Sequence, residues 1–248
     1  MIEARNLYKQ FGDFKVLNGV QLRVEEGKSI AIIGRSGGGK SVLLKHLIGL
    51  LRPDSGSVWI DGEDITNLSE RKLLKVRRKF AMVFQGAALF DSMTVSENVA
   101  FMLRREGHFT AKEIDKKVEA ALDMVDLQGV GPKLPVELSG GMRKRVGLAR
   151  AVIYQPEIVL YDEPTTGLDP VVSDSIDQLI LRVNEFCKVT TVVVTHDMRS
   201  AKRIGQRIFM LANGRIHTEG TPDEIFNSSD PLVYRFVNGI ADTKDLDL

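Results

Sequence analysis

Apolar residues along this chain change their spacing several times, and each change marks a different kind of element. In residues 2–25 and 56–65, short apolar stretches are punctuated by Phe11-Gly12-Asp13, Glu26-Gly27 and Asp61-Gly62. Turn residues in those places predict short strands joined by reversals, and hence a small, mostly antiparallel layer. Residues 28–34 hold the unbroken run Ile30, Ala31, Ile32 and Ile33, which reads as a buried strand, and residues 41–51 then carry apolar positions at helical spacing. Three later runs, 158–161, 191–195 and 207–211, alternate with helix-periodic stretches. That alternation predicts parallel strands covered on both faces. Residues from about 86 to 155 lack such runs and read as helices, including 111–125 and 140–154. The fold expected is α/β: a core with a parallel sheet, an N-terminal antiparallel layer and a helical subdomain inserted at about 86–155.

With 248 residues and 43% hydrophobic content, the chain can bury a sizeable core. Its 34 basic and 33 acidic residues nearly cancel, so no global charge points to nucleic acid or an anionic membrane. The basic stretch 71–79 reads as a solvated helix face. Cys187 has no second cysteine to pair with and falls on a helical apolar stripe with Val172, Ile176, Leu179, Ile180 and Val183, so a buried structural thiol is expected. The opening MIEARNLYKQ has no apolar stretch of signal-peptide length, and no apolar run approaches the roughly 18 residues of a membrane span. The expectation is a cytosolic chain that works at a membrane only through another, spanning polypeptide.

Against this background the segment GRSGGGKS at 34–41 fits the phosphate-binding pattern G-x-x-x-x-G-K-[ST], in the strand-then-helix context which that pattern requires. Kinases, GTPases and ATPases share it. Gly37, Gly38 and Gly39 let the main chain approach a polyphosphate closely, while Gly34, Arg35 and Ser36 contribute chiefly their backbone. Lys40 is the mobile cation for the β- and γ-phosphates, and the Ser41 hydroxyl is a ligand for Mg²⁺. Downstream, Tyr161-Asp162-Glu163 ends an apolar strand with adjacent acids, at the strand edge where open α/β sheets bind ligands. Asp162 is expected to hold Mg²⁺ through water, and Glu163 to orient and polarise an attacking water. His196 follows the run ending at Thr195, a tip from which an imidazole N–H can donate to phosphate oxygens gaining charge. Gln85, after the apolar 80–84, reads by itself as a surface amide. In LSGGM, Ser139 is a good helix N-cap, Gly140 and Gly141 bare the first turn, and Met142, Val146, Ala149 and Ile153 mark one helix face. Such a start binds an anion or is a plain Gly-Gly hinge. If it binds one, the ligand is either a second molecule or the same nucleotide held by another subunit.

In that order, these segments resemble the ATP-binding subunits of ABC transporters, over nearly the whole chain from Ile2 to about Gly220. GRSGGGKS is similar to their Walker A, whose last position here is Ser41 with Val42 following; Gln85 is similar to the Q-loop glutamine, which implies a catalytic residue and a further Mg²⁺ contact. LSGGM is similar to the signature, IVLYDEP to Walker B, Gly167-Leu168-Asp169 to the D-loop and His196 to the switch histidine. By the same resemblance Phe11 is the aromatic that stacks on adenine and Val16 the residue near the ribose. The residues alone leave Phe11 as a core aromatic. The resemblance implies ATP as substrate, Mg²⁺ as cofactor and a head-to-tail homodimer in which each ATP lies between Walker A of one subunit and the signature of the other, closing with ATP and opening after hydrolysis. It also implies an integral membrane permease as partner, with the chain peripheral on the cytoplasmic face of the inner membrane.

Two departures narrow the family. Met142 stands where the signature commonly has Gln, and Leu89-Phe90-Asp91 stands where Leu-Phe-Pro is usual. With the segments from Gly86 and Leu138 and the tail PLVYRFVNGI, they resemble the ATPases of Mce-associated, Mla-type phospholipid transporters, which implies a STAS-domain regulator and an MCE-type lipid-binding protein as further partners. The ATPase domain is expected at 1–220 and a helical tail at 221–248. In that tail Leu232, Val233, Phe236, Val237 and Ile240 share a helix face after Asp230-Pro231, either packing on their own domain or reaching a neighbouring ATPase or the regulator. Amino-acid importers use similar subunits. A soluble ABC-type ATPase acting on ribosomes or DNA fits less well, because those resemble tandem copies or carry long coiled insertions, and a small-molecule kinase leaves LSGGM unexplained.

Overall fold

The computed structural model describes residues 1–241, so residues 242–248 of the expected tail lie outside the described chain. In chain order the elements are β1 (Ile2–Phe11), β2 (Phe14–Val24), β3 (Ser29–Ile33), α1 (Lys40–Leu47), β4 (Ser55–Ile60), β5 (Glu63–Asp64) and α2 (Glu70–Arg77). Next come β6 (Phe80–Val83), α3 (Val95–Glu106), α4 (Ala111–Met124), α5 (Gly140–Val152), β7 (Ile158–Asp162) and α6 (Pro170–Cys187). They are followed by β8 (Thr190–Thr195), α7 (Met198–Ile204), β9 (Arg207–Ala212), β10 (Arg215–Gly220), α8 (Pro222–Phe226) and α9 (Pro231–Val237). Two compact units result, one from Met1–Leu73 with the chain from Val192 onward, the other from Leu74–Thr191.

The first unit contains the antiparallel layer that the turn residues predict, in the order β2-β1-β4-β5. Its register pairs Ile2 with both Val24 and Ile60, and all three side chains point into the core. Beside it, β10-β9-β3-β8 are neighbours in a mixed sheet, with β3 parallel to β9 and Ile33 opposite Met210. The continuous apolar runs of β3 and β8 are buried on both faces, as parallel strands require. One face is covered by a cluster of Ala31, Ile33, Ala201, Ile208, Met210, Ile225 and Val233, against which Leu232, Phe236 and Val237 also pack. The tail helix α9 is therefore seated on its own unit. Asp230 caps it, its Oδ1 accepting from the Leu232 N–H at 2.8 Å and the Val233 N–H at 3.1 Å. Ile240, expected on the same face, is 48% exposed. Helix α1 ends at Leu47 and not at residue 51, because Gly49 turns left-handed (φ 67°) and the Leu50 and Leu51 N–H groups fold back onto the Lys45 carbonyl.

In the second unit β6 runs parallel to β7, with Val83 opposite Tyr161. Helices α4 and α5 fall within two residues of the stretches expected from periodicity. Thr94 with Glu97 and Thr110 with Glu113 form capping boxes that start α3 and α4, the reciprocal arrangement encoded by T-x-x-E. Helix α5 packs on α3, α4, α6 and β6 and so forms the centre of this unit. Cys187 differs from expectation in being only partly buried, at the last position of α6, and that burial pushes its thiol pKa up. In α2, Leu73 and Val76 are buried while Arg71, Lys72 and Lys75 face solvent, which makes the basic stretch a solvated face.

Candidate functional site

The phosphate loop leaves β3 at Gly34, where a Cβ would stand 2.4 Å from the Leu211 carbonyl oxygen, so no side chain fits. Arg35, Ser36 and Gly37 are exposed, Gly38 and Ser41 partly so. Helix α1 then begins behind Gly39 (φ 95°) with no side-chain cap. Helices α3, α4, α6, α7 and α8, by contrast, each start under a Thr or Asp side chain. A helix start that its own chain does not cap offers its first N–H groups and positive dipole end to an anion. Lys40, 5% exposed, bends back over this loop and donates from Nζ to the Gly34 carbonyl at 2.9 Å and the Arg35 carbonyl at 3.0 Å. Its cation is thus held at the loop.

Around the loop in the same unit, Val16 lies against Gly39, whose Cβ would meet Val16 Cγ1 at 3.0 Å. Val42 is partly buried in the first turn of α1. Phe11 ends β1 with 49% of its surface exposed and Lys9 Nζ lies 5.5 Å from its ring centroid, so it is not the core aromatic that the bare residues imply. His196 is exposed directly after β8. The next residue, Asp197, caps α7 through the Arg199 and Ser200 N–H groups and donates its own N–H to Thr195 Oγ1, which fixes the turn on which His196 stands.

In the second unit, Asp162 ends β7 and Glu163 follows, each 9% exposed. Glu163 is left-handed (φ 50°), a conformation costing a non-glycine residue about 1–2 kcal/mol. Polar contacts oppose that cost. Thr166 Oγ1 donates to Glu163 Oε2 at 3.1 Å, and Lys144 Nζ donates to the Glu163 carbonyl at 3.5 Å. The same ammonium donates to the Gln85 carbonyl. Gln85 itself is exposed just beyond β6, and the next turn contains two consecutive left-handed alanines, Ala87 (φ 61°) and Ala88 (φ 47°). Arg150 holds that turn by donating to the Ala87 carbonyl at 2.6 Å and the Ala88 carbonyl at 2.7 Å. Further on, the fully buried Asn98 accepts from the Phe90 N–H and donates to the carbonyls of Phe90, Met93 and Thr94. Burial pulls the Lys144 ammonium below the ordinary lysine value, an effect partly countered by the Glu163 charge.

Ser139 caps α5 as its residue type predicts, with Oγ accepting from the Met142 N–H at 3.3 Å. Gly141 lets α6 come close: a Cβ there would lie 2.6 Å from Val172 Cγ1, whereas one on Gly140 would meet only Leu168 Cδ2, at 3.5 Å. Asp169 caps α6, its Oδ1 accepting from Val171 and Val172 N–H groups at 3.0 Å each. An open concavity of about 370 Å³ beside this helix start is lined by Ser139, Gly141, Met142, Arg145 and Val172. Ser41 Oγ in the first unit, and Gln85 Oε1 and the Asp162 carboxylate in the second, are each hard oxygen donors. They suit Mg²⁺, which keeps several waters and takes substrate phosphates as ligands. Among the described residues no cluster of three or more His, Cys, Asp or Glu forms a separate metal cage.

Lys144, Arg150 and Asn98 were not singled out from sequence. Lys144 and Arg150 belong to the basic pattern of GGMRKRVGLAR, which reads as helix-surface charge, and an Asn in the helical stretch around residue 98 carries no signal until the turn it fills is known.

The family profile described as ABC transporter matches residues 17–166. The chain is 39% identical over 242 residues to the intermembrane phospholipid transport system ATP-binding protein MlaF of Haemophilus influenzae, covering 98% of this chain and 92% of that protein. It is 42% identical over 244 residues to the methionine import ATP-binding protein MetN of Carboxydothermus hydrogenoformans, covering 97% of this chain and 72% of that one. Among solved structures it superposes with a TM-score of 0.82 and 35% identity on the dimeric post-hydrolysis state of the ATP-binding cassette MJ0796 bound to ADP and Pi, covering 90% of this chain and 99% of that one. With an uncapped phosphate loop, a strand-end acid pair and a serine-capped signature helix already in place, these matches establish that the chain belongs to the ABC transporter family, as an ATP-binding and ATP-hydrolysing subunit.

Proposed function

We propose that this ATPase works as a homodimer on the cytoplasmic face of the inner membrane and drives a permease that moves phospholipid between membranes. The observation that carries the lipid reading is the match to MlaF across 98% of this chain. Met142 in the signature and Leu89-Phe90-Asp91 after Gln85 agree with it. A STAS-domain regulator and an MCE-type lipid-binding protein complete the assembly on this reading.

At the nucleotide, Phe11 stacks on the adenine and Val16 borders the ribose. The loop from Gly34 to Gly39 wraps the phosphates with backbone N–H groups, and Lys40 exchanges its carbonyl partners for phosphate oxygens. Magnesium, when bound, neutralises phosphate charge, and Ser41, Gln85 and Asp162 are the residues that would hold it. Glu163 accepts a hydrogen bond from the attacking water and aligns it with the γ-phosphorus. His196 donates to a phosphate oxygen as its charge grows. Ser139, Gly140, Gly141 and Met142 present the α5 start to ATP carried by the partner protomer, with Asp169 alongside. Because the γ-phosphate is contacted from both protomers only in the closed dimer, its binding favours closure and its loss reverses it. For the permease, the concavity of about 470 Å³ lined by Met93, Glu97, Phe101, Arg104 and Arg105, next to the exposed Phe90, offers an apolar floor with charged edges suited to a short cytoplasmic helix.

Two experiments test this. Glu163→Gln is expected to bind ATP, hydrolyse it poorly and accumulate as a closed dimer in size-exclusion chromatography; turnover at the wild-type rate would remove Glu163 from the mechanism. The permease recovered with this subunit from membranes, reconstituted in liposomes, is expected to move labelled phospholipid on ATP addition. A second reading, import of a small solute, is favoured by the 42% identity to MetN. Transport of methionine with no lipid movement in the same liposomes would establish it instead.

A further inference from the structure

We infer that Lys144 is a positioning residue for hydrolysis, tying the main chain of Gln85 and of Glu163 to helix α5. The inference rests on the role given to Glu163 above. Lys144 is 8% exposed, and its ammonium donates to the Gln85 carbonyl and, at 3.5 Å, to the Glu163 carbonyl.

Both tethered peptides need an external hold. Glu163 is left-handed (φ 50°), and Pro164 after it has no N–H with which to steady the turn. Rotation of that peptide unit swings the carboxylate away from its water, and a misplacement of about 1 Å costs on the order of 10²-fold in rate. The Gln85 peptide leads into the left-handed Ala87 and Ala88, whose carbonyls Arg150 holds from further along the same helix. Lys144 lies two positions after Met142, in the first turns of the helix whose start is capped by Ser139. A displacement of that helix start is therefore transmitted directly to the backbone carrying Glu163. Lys144 is given no contact with a substrate atom by its position against these two main-chain carbonyls. It acts through the two carbonyls.

The test compares Lys144→Met, which keeps the packed stem and removes the donor, with Lys144→Arg, which restores a donor. The expected result for Lys144→Met is a kcat lowered by about tenfold or more with KM for ATP changed by less than about threefold. Hydrogen exchange in the nucleotide-free protein should quicken in peptides covering 85–88 and 163–166 and stay unchanged elsewhere. Lys144→Arg should recover kcat to within about threefold of wild type. Wild-type kcat in Lys144→Met overturns the inference. So does a loss that Lys144→Arg fails to recover and that comes with faster exchange throughout the protein, since that is a folding defect. Failure of the underlying reading is distinguishable: it appears as normal turnover in Glu163→Gln, whereas an inactive Glu163→Gln beside a fully active Lys144→Met sinks only the role of Lys144.

Discussion

Replacing Gly34 by alanine tests how tightly the phosphate loop is bound to the sheet beneath it. The new Cβ would stand 2.4 Å from the Leu211 carbonyl oxygen, a main-chain atom of β9 that cannot swing aside as a side chain would. Relief requires β3 and β9 to part at the end of their shared ladder, where Ile33 is paired with Met210. Forced overpacking of this kind costs about 1–3 kcal/mol, and a side chain at the positive φ of Gly34 (156°) adds strain of order 1–3 kcal/mol. Gly37→Ala supplies the control: it too has positive φ (74°), but its Cβ meets nothing within 4 Å. Both variants carry positive-φ strain of the same order, so a gap beyond it reports the contact. For a chain of 248 residues each kcal/mol lowers Tm by about 2–4 °C. Gly34→Ala should therefore melt about 2–12 °C below Gly37→Ala without nucleotide. Scanning fluorimetry with and without ATP reads both that gap and the nucleotide effect. ATP should stabilise Gly34→Ala less than wild type, because the Gly34 carbonyl also positions Lys40 Nζ. Equal melting of the two alanine variants would refute the claim that β9 forbids a side chain at this position.

Three further outcomes are expected. His196→Ala should slow ATP hydrolysis by about 10²–10³-fold while moving Tm little, since His196 is exposed; a wild-type rate in steady-state assays would return it to a structural role. Val233→Ala removes two methyl groups from a fully buried site shared with Ile33, Ile208 and Met210, so unfolding free energy should fall by about 1.5–3 kcal/mol, and a loss under about 0.5 kcal/mol in denaturant titration would mean that α9 is not packed there in solution. The main-chain and hydroxyl hydrogen bonds from Thr94 hold the Glu97 carboxyl below its usual range. A depressed folded-state pKa contributes stability that is present above the unfolded value, about 4.3, and lost as pH falls through the folded one. Glu97→Gln should thus be less stable than wild type at neutral pH and converge on it as melts are repeated in acid; a gap that widens below about pH 4 would contradict the sign.

The residues proposed to bind phosphate and split water were legible because each is tied to a local rule. A glycine-rich turn between a strand and a helix, acids at a strand end and a serine before a bare helix turn all depend on neighbours within a few positions, and GRSGGGKS, IVLYDEP and LSGGM state them directly. Boundaries were readable to within about two residues where caps are encoded, as at Thr110 and Ser139. Helix α1 ended early for an equally local reason, the left-handed Gly49. Strand β10 escaped notice because its exposed, alternating residues carry a weak apolar signal.

What sequence by itself determined here is the family, the candidate side chains proposed to meet a nucleotide, and the kind of element in which each one sits. Only the tertiary structure decided that Gly34 lies under the Leu211 carbonyl, that α9 folds onto its own unit, and that Lys144 spans Gln85 and Glu163. The reason is distance along the chain. Lys144 is separated from Gln85 by 59 positions and from Glu163 by 19, so its partners follow from packing α5 against β6 and from no periodicity or motif within its own helix.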